Sequence, residues 1–213
     1  MKHQLEKKTV PRETFELIDQ LYQKNVHKLE QYIEKLLWWN DKVNLISRNL
    51  SREDLKLHIK HSLLPLGLFD FKLDQKLIDA GTGGGLPGIP LAVCLSRGRL
   101  TLNDISTKKM LAVKDIGRKL QLSNIDYQIG DIAELELKDY QFVISKHAFK
   151  IPEIVKTLTH IDTYNIILYK GIDIEKEVAG LESPHQILIY DISAETGNTF
   201  FKGKSIVTIS PLH

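Results

Sequence analysis

Residues 77–90 read Leu-Ile-Asp-Ala-Gly-Thr-Gly-Gly-Gly-Leu-Pro-Gly-Ile-Pro: a short apolar run that halts on glycines and restarts as a helix. A strand, a tight turn and a helix in immediate succession form the opening of a βα unit, and this restricts the chain to a few folds. Gly81, Gly83 and Gly85 alternate, so the backbone there can take positive φ and approach a ligand with no Cβ in the way. The first N–H groups of the following helix are then expected to face that ligand, which suits a carboxylate or a phosphate. Gly83-Gly84-Gly85-Leu86-Pro87-Gly88 satisfies G-x-G-x-x-G and admits a dinucleotide. Asp79 argues the other way. Just before the first glycine, its anion would repel a pyrophosphate but would hold the ammonium of an amino acid.

The Asp-x-Gly-x-Gly-x-Gly pattern thus resembles the S-adenosylmethionine loop of class I methyltransferases. Leu100-Thr-Leu-Asn-Asp104 is a second short strand ending in a carboxylate, about 20 residues past the glycines, where an acid accepts ribose hydroxyls. NAD and S-adenosylmethionine both carry that ribose, so Asp104 points to a nucleoside without choosing between them.

Strands are expected at 77–80, 100–104, 126–129, 141–145, 164–170, 186–191 and 203–209, with helices near 88–96, 107–121, 151–161 and 173–181. Such alternation predicts an α/β fold: a seven-stranded, mostly parallel sheet with its ligand at the carboxyl ends of the strands. The last two strands have only a Gly197-Asn198 turn signal between them and should form an antiparallel hairpin. Before the sheet, Phe15, Ile18, Tyr22, Val26, Leu29, Ile33 and Leu36 recur at helical spacing, with a break near Asn25, and Ser51 is placed to cap another helix reaching Leu64. The expected organisation is an all-helical section over 1–64, packed on a sheet domain over 65–213.

With 213 residues, of which 42% are hydrophobic and 26% charged, the chain suits one α/β domain with an appendage. A net charge of +2 permits an RNA partner without suggesting one. The amino terminus has no apolar h-region, no run suggests a membrane span, and the single Cys94 cannot form an internal disulfide, so the cytoplasm is the expected compartment. No metal-ligand spacing is present, and no metal is expected.

Several further motifs extend the resemblance. Trp39-Asn40-x-x-x-Asn44-Leu45, His58-x-x-x-Ser62-Leu63, Gly81-Thr-Gly-Gly-Gly-Leu-Pro-Gly-Ile-Pro90, Ser106-x-Lys108-Lys109, Gly130-x-x-Ala133-Glu134, Ile144-Ser145 and Lys170-Gly171 occur in that order. With them the chain resembles the bacterial 16S rRNA guanine-N7 methyltransferases, the glucose-inhibited division protein B family. Leu-Pro-Gly-Ile-Pro is the most specific part of the match. The ending Phe200-Phe201-Lys202-x-Lys204 resembles members from Bacteroidetes-type bacteria. Two departures stand out: Ser145-Lys146-His147 replaces the family's usual Ser-Arg-Ala, and His61 stands where many members carry Asp.

The resemblance implies a class I, Rossmann-like fold, S-adenosylmethionine as cofactor, and a guanine in the helix-18 loop of 16S rRNA as target. The RNA would be met free, in the small ribosomal subunit or in an assembly intermediate. Asp79, Gly81, Thr82, Gly83, Gly85, Leu86, Pro87 and Asp104 would hold the cofactor, with Ala133 and Glu134 facing its adenine. Ser145 and Lys146 would hold the target base or its phosphate, and Lys108, Lys109, Lys150, Lys170, Lys202 and Lys204 would meet RNA phosphates. Trp38 and Trp39 would stack on a base or pack between helices. Two other classes stay open: a catalytically idle RNA-binding or assembly protein on the same fold, and an NAD(P)-dependent oxidoreductase.

Overall fold

A computed structural model describes residues 3–72, 75–95, 98–161, 164–193 and 198–212. Its centre is a sheet of strands β1 (Gln4–Thr9), β2 (Lys76–Ala80), β3 (Arg99–Asp104), β4 (Ile125–Ile129), β5 (Phe142–Lys146), β6 (Asn165–Gly171), β7 (His185–Asp191) and β8 (Lys204–Pro211). The spatial order is β1-β7-β8-β6-β5-β2-β3-β4. All neighbours run parallel except β8, which lies antiparallel to both β6 and β7. The β7–β8 hairpin is therefore present, while Gly197 of its expected turn falls outside the described residues.

The sheet has eight strands and not seven. The additional one, β1, corrects the expectation of an all-helical amino-terminal section: it pairs in parallel with β7, from Gln4 against Gln186 to Thr9 against Asp191. All six of its residues are exposed, so it joins chiefly through the backbone, with one surface ion pair from Lys7 to Glu175 at 3.0 Å. Lys7 and Lys8 on this edge hinder the docking of a further strand.

Helices α1 (Arg12–Lys24), α2 (Val26–Asn40), α3 (Arg52–Leu63), α4 (Pro65–Leu68), α5 (Gly88–Cys94) and α6 (Thr107–Lys119) contribute to the core on one face. Helices α7 (Ile151–Thr157) and α8 (Glu175–Val178) contribute to the core on the other. Strand residues alternate between the two cores: Leu77 and Ile144 face the first, Ile78 and Val143 the second. Of the expected helical stripe, Ile18, Tyr22, Leu29, Ile33 and Leu36 are buried, whereas Val26 opens α2 and is exposed. The break between α1 and α2 is at Asn25, whose amide donates to the Leu21 carbonyl at 2.9 Å. Ser51 starts α3 through a reciprocal cap, its hydroxyl accepting from Asp54 N–H at 3.1 Å while Asp54 accepts from Ser51 N–H at 2.9 Å. Among the described residues no helix is long and apolar enough to cross a membrane, and no group of three or more potential metal ligands occurs.

Candidate active site

The carboxyl ends of β2, β3, β4 and β5 converge on the glycine turn. Gly81 has φ +70°, and a Cβ there would lie 2.5 Å from the Cβ of Ala148, so neither the conformation nor the space admits another residue easily. Beneath the turn Asp79 is fully buried. Its Oδ2 accepts from the Thr82 hydroxyl at 2.6 Å and from Gly88 N–H at 2.8 Å. With Gly88 N–H taken by Asp79 and Ile89 N–H by the Gly85 carbonyl at 2.7 Å, the start of α5 is not left open to a ligand, which corrects the expectation for its N–H groups. The other oxygen, Oδ1, is buried without a partner. Burial raises the Asp79 carboxyl to about 7, against the opposing pull of its bonds to Thr82 and Gly88.

Asp104 ends β3 with both oxygens engaged: Oδ2 accepts from Gly83 N–H and Oδ1 from Ser106 N–H, each at 2.9 Å. It ties the glycine turn to the start of α6, which Ser106 caps. A second lone pair on each oxygen remains for another donor. Asp104 borders a cleft of about 360 Å³ whose rim includes Gly81, Ile105 and Lys109 on one side and Gly130, Asp131 and Ile132 on the other. Ala148 and Phe149 form its third wall.

The sequence misplaced one wall of this cleft. Ala133 and Glu134 are exposed on a short 3-10 turn, and the residues at the cleft are Asp131 and Ile132 just before them. Asp131 accepts from Ala133 N–H at 3.0 Å. Gly130, with φ +138°, is the sequence signal that marks the turn into this wall. Ile105 and Phe149 were also missed; an apolar residue beside a strand-end acid gives no separate signal.

A second cleft, of about 380 Å³, opens on the far side of Gly81. Its roof is the segment from Leu45 to Leu50; its floor is Gly81 to Gly84 with Leu86; its end is closed by His58, Lys146 and His147. The roof is fixed from below by Asn40, whose Oδ1 accepts from Leu45 N–H at 2.8 Å and Ile46 N–H at 2.9 Å. Tyr32, fully buried, donates to the Gly84 carbonyl at 3.0 Å and joins α2 to the turn. Residues 146–149 separate the clefts: Lys146 and His147 line one, Ala148 and Phe149 the other. His147, at φ +59°, is where the chain crosses over.

Lys146 is turned inward. Its Nζ donates to the His58 carbonyl at 3.1 Å and to the Ser62 hydroxyl at 3.2 Å, and sits 5.4 Å from the centre of the Tyr169 ring. Burial lowers its ammonium to about 7, with Asp79 pulling the other way. Burial also lowers His58 to about 4, and Lys146, Lys204 and His147 add to the effect. His61, behind them, is fully buried with both ring nitrogens unpartnered, held neutral mainly by burial.

Ser145 does not join Lys146. It is buried on the opposite face of β5, where its hydroxyl donates to the Ala80 carbonyl at 2.8 Å. Two expected RNA contacts are likewise folded in: Lys170 donates to the Phe149 carbonyl at 2.9 Å and pairs with Glu177 at 2.7 Å, and Lys204 donates to the Phe200 carbonyl. Lys108, Lys150 and Lys202 are exposed, and Lys109 reaches the first cleft. Trp38 is exposed with the Lys42 ammonium 3.5 Å from its ring centre, while Trp39 donates to Asp115 at 3.0 Å.

Residues 25–197 match the family model described as rRNA small subunit methyltransferase G. Proteins of that description are similar in sequence. One from Phocaeicola vulgatus is 30% identical over 81% of this chain and 85% of its own length; one from Flavobacterium johnsoniae is 32% identical over 79% and 83%. Among solved structures, an O-methyltransferase from Bacillus cereus in complex with SAH covers 85% of this chain and 90% of its own, with TM-score 0.55 and 16% identity. M. jannaschii TYW2 in complex with AdoMet covers 76% of each chain, with TM-score 0.53 and 14% identity. At those identities the likeness is one of fold: a Rossmann-like methyltransferase sheet.

Proposed function

Because the chain belongs to the rRNA small subunit methyltransferase G family, S-adenosylmethionine-dependent enzymes acting on ribosomal RNA, we propose that it methylates N7 of a guanine in the helix-18 loop of 16S rRNA, in the cytoplasm. The oxidoreductase alternative falls with the family. One observation carries the reading: Gly81 lines both clefts, which brings a group bound in one beside a group bound in the other.

The first cleft fits the cofactor. S-adenosylmethionine supplies a methyl group already activated on a sulfonium. Asp104 would accept from its ribose hydroxyls on the lone pairs left by Gly83 and Ser106. Asp131, Ile132 and Ile105 would enclose the adenine, with Gly81, Gly83 and Gly85 backing the amino-acid end. The unpartnered Oδ1 of Asp79 lies beneath that turn, where a cationic amino group favours its ionised form.

The second cleft would take the guanine. N7 carries a lone pair and no proton, so attack needs no general base, and no carboxylate lines that cleft among the described residues. The protein's task is then alignment of nucleophile, carbon and sulfur, at about 3 Å before reaction. Lys146 and His58 would orient the nucleotide; Lys108, Lys150 and Lys202 would meet backbone phosphates.

Two measurements test this. In a strain lacking the protein, reverse transcription after N7-specific cleavage should lose one signal in the helix-18 loop; a persisting signal, or a loss elsewhere, refutes the target. The second concerns Asp79. With its carboxyl raised to about 7, cofactor binding at pH 7 should release protons, and affinity should weaken as pH falls through that value. Calorimetry in buffers of different ionisation enthalpy reads the release, and Asp79→Asn should remove Asp79's share of it.

A further inference from the structure

His58 from α3 and Lys146 and His147 from the end of β5 face one cavity, whose remaining walls are apolar side chains and glycine backbone. Three bases share this space with no acid lining it among the described residues. Lys146 Nζ lies 3.5 Å from His58 Nδ1. A protonated Lys146 would donate to this nitrogen, as it does to the His58 carbonyl and the Ser62 hydroxyl. Neither imidazole is needed as a base in the methyl transfer, because N7 of guanine carries no proton to remove.

We propose that His58 and His147, backed by the Lys146 ammonium, form the seat for a backbone phosphate of the target nucleotide, and that the arriving phosphate raises the proton affinity of all three bases. The proposal rests on the rRNA-methyltransferase reading. Without RNA the cluster resists charge. Burial holds Lys146 at about 7; burial and repulsion by Lys146 hold His58 at about 4, and partial enclosure with the same repulsion depresses His147. The surrounding charges do not relieve it. Asp54 acts on His58 but is engaged by Ser51 N–H and hydroxyl; Asp79 acts on Lys146 but is engaged by Thr82 and Gly88. Lys170 and Lys204 add positive potential from outside the cavity, and His61 is sealed behind it.

A phosphodiester reverses this balance. Its fixed negative charge favours the protonated form of every base it touches, so binding takes up protons. The family's usual arginine would be charged at any pH. With Lys146 and His147 in its place, charge in this chain would appear with the ligand. The apolar roof of Leu45, Ile46 and Leu50 suits the base of the same nucleotide, and this pairing of surfaces favours a nucleotide over a bare anion.

The test uses the full chain saturated with S-adenosylhomocysteine and titrated with the trinucleotide UpGpU, whose phosphodiesters do not titrate near neutrality. NMR of the histidine ring protons should show the His58 and His147 midpoints rising by about one unit, a tenfold gain in proton affinity. Guanosine, which lacks the phosphate, should leave both in place, and inorganic phosphate should move them less than UpGpU. Affinity for UpGpU should tighten as pH falls from 8 to 5, and by several-fold more in the native protein than in a His58→Gln, His147→Gln protein of unchanged melting temperature, which keeps only the contribution of Lys146. Should that protein melt early, His147→Gln alone, at an exposed position, must still reduce the pH dependence. Unmoved midpoints with UpGpU, equal shifts with guanosine or phosphate, or an unaltered pH dependence in the variants overturns the proposal. Any of these with continuing methylation of rRNA refutes the phosphate seat alone; no methylation of any rRNA substrate refutes the function it rests on.

Discussion

Asp104→Ala should weaken S-adenosylhomocysteine binding by at least tenfold, the largest loss expected from any single side chain of the first cleft. Hydrogen bonds to a carboxylate contribute roughly 1.5–3 kcal/mol each, and the change removes those proposed to the ribose. It also strips the acceptor from Gly83 N–H and Ser106 N–H, so the glycine turn loses its tie to α6 as the ligand loses its partner. A lower melting temperature should accompany the lost affinity. Asp104→Asn keeps one acceptor oxygen and should fall between the two. Calorimetry with S-adenosylhomocysteine gives the comparison; unchanged affinity in Asp104→Ala would place the ribose elsewhere.

The central βα unit was legible because its reasons are local. An apolar strand, alternating glycines and a helix start leave little choice of conformation, and Asp104 at the next strand end follows from the parallel register of β2 and β3. What escaped the sequence depends on contacts between distant segments. Strand β1 buries none of its side chains, so it has no apolar alternation to detect; its existence depends on the free edge of β7, nearly the whole chain away. Ser145 shows a different limit. The sequence pattern ends the strand at 145 but β5 runs on through Lys146, and because neighbours in a strand point to opposite faces, Ser145 and Lys146 are turned apart.

The lysines illustrate why charge is the least transferable signal. Lys170 and Lys204 stand in the expected motifs, yet the first ammonium is held by the Phe149 carbonyl from a separate segment and the second by the Phe200 carbonyl just before it in the chain. His58 and Ser62, matched only as a motif, turn out to hold Lys146, 84 residues away from Ser62 in the chain. Asn40 and Tyr32 act in the same indirect way, anchoring the roof of the second cleft and the floor they share.

Gly81→Ala should impair both clefts at once. At φ +70° an alanine pays the left-handed backbone cost, roughly 1–2 kcal/mol, and its Cβ would stand 2.5 Å from the Cβ of Ala148. Ala148 must then give way, carrying His147 toward one cleft and Phe149 toward the other. Gly203 supplies a matched control: it has the same φ of +70°, but a Cβ there meets nothing within 4 Å. Both variants should lose similar stability from the backbone alone, and Gly81→Ala somewhat more from the collision. Only Gly81→Ala should reduce S-adenosylhomocysteine affinity and rRNA methylation together, each by tenfold or more, since about 1.4 kcal/mol of misplacement suffices for that factor. Melting temperature, calorimetry and methyl incorporation into rRNA separate the effects. If the two alanine variants methylate equally well, residues 146–149 are a passive wall, and the meeting of the clefts at Gly81 has no part in the reaction.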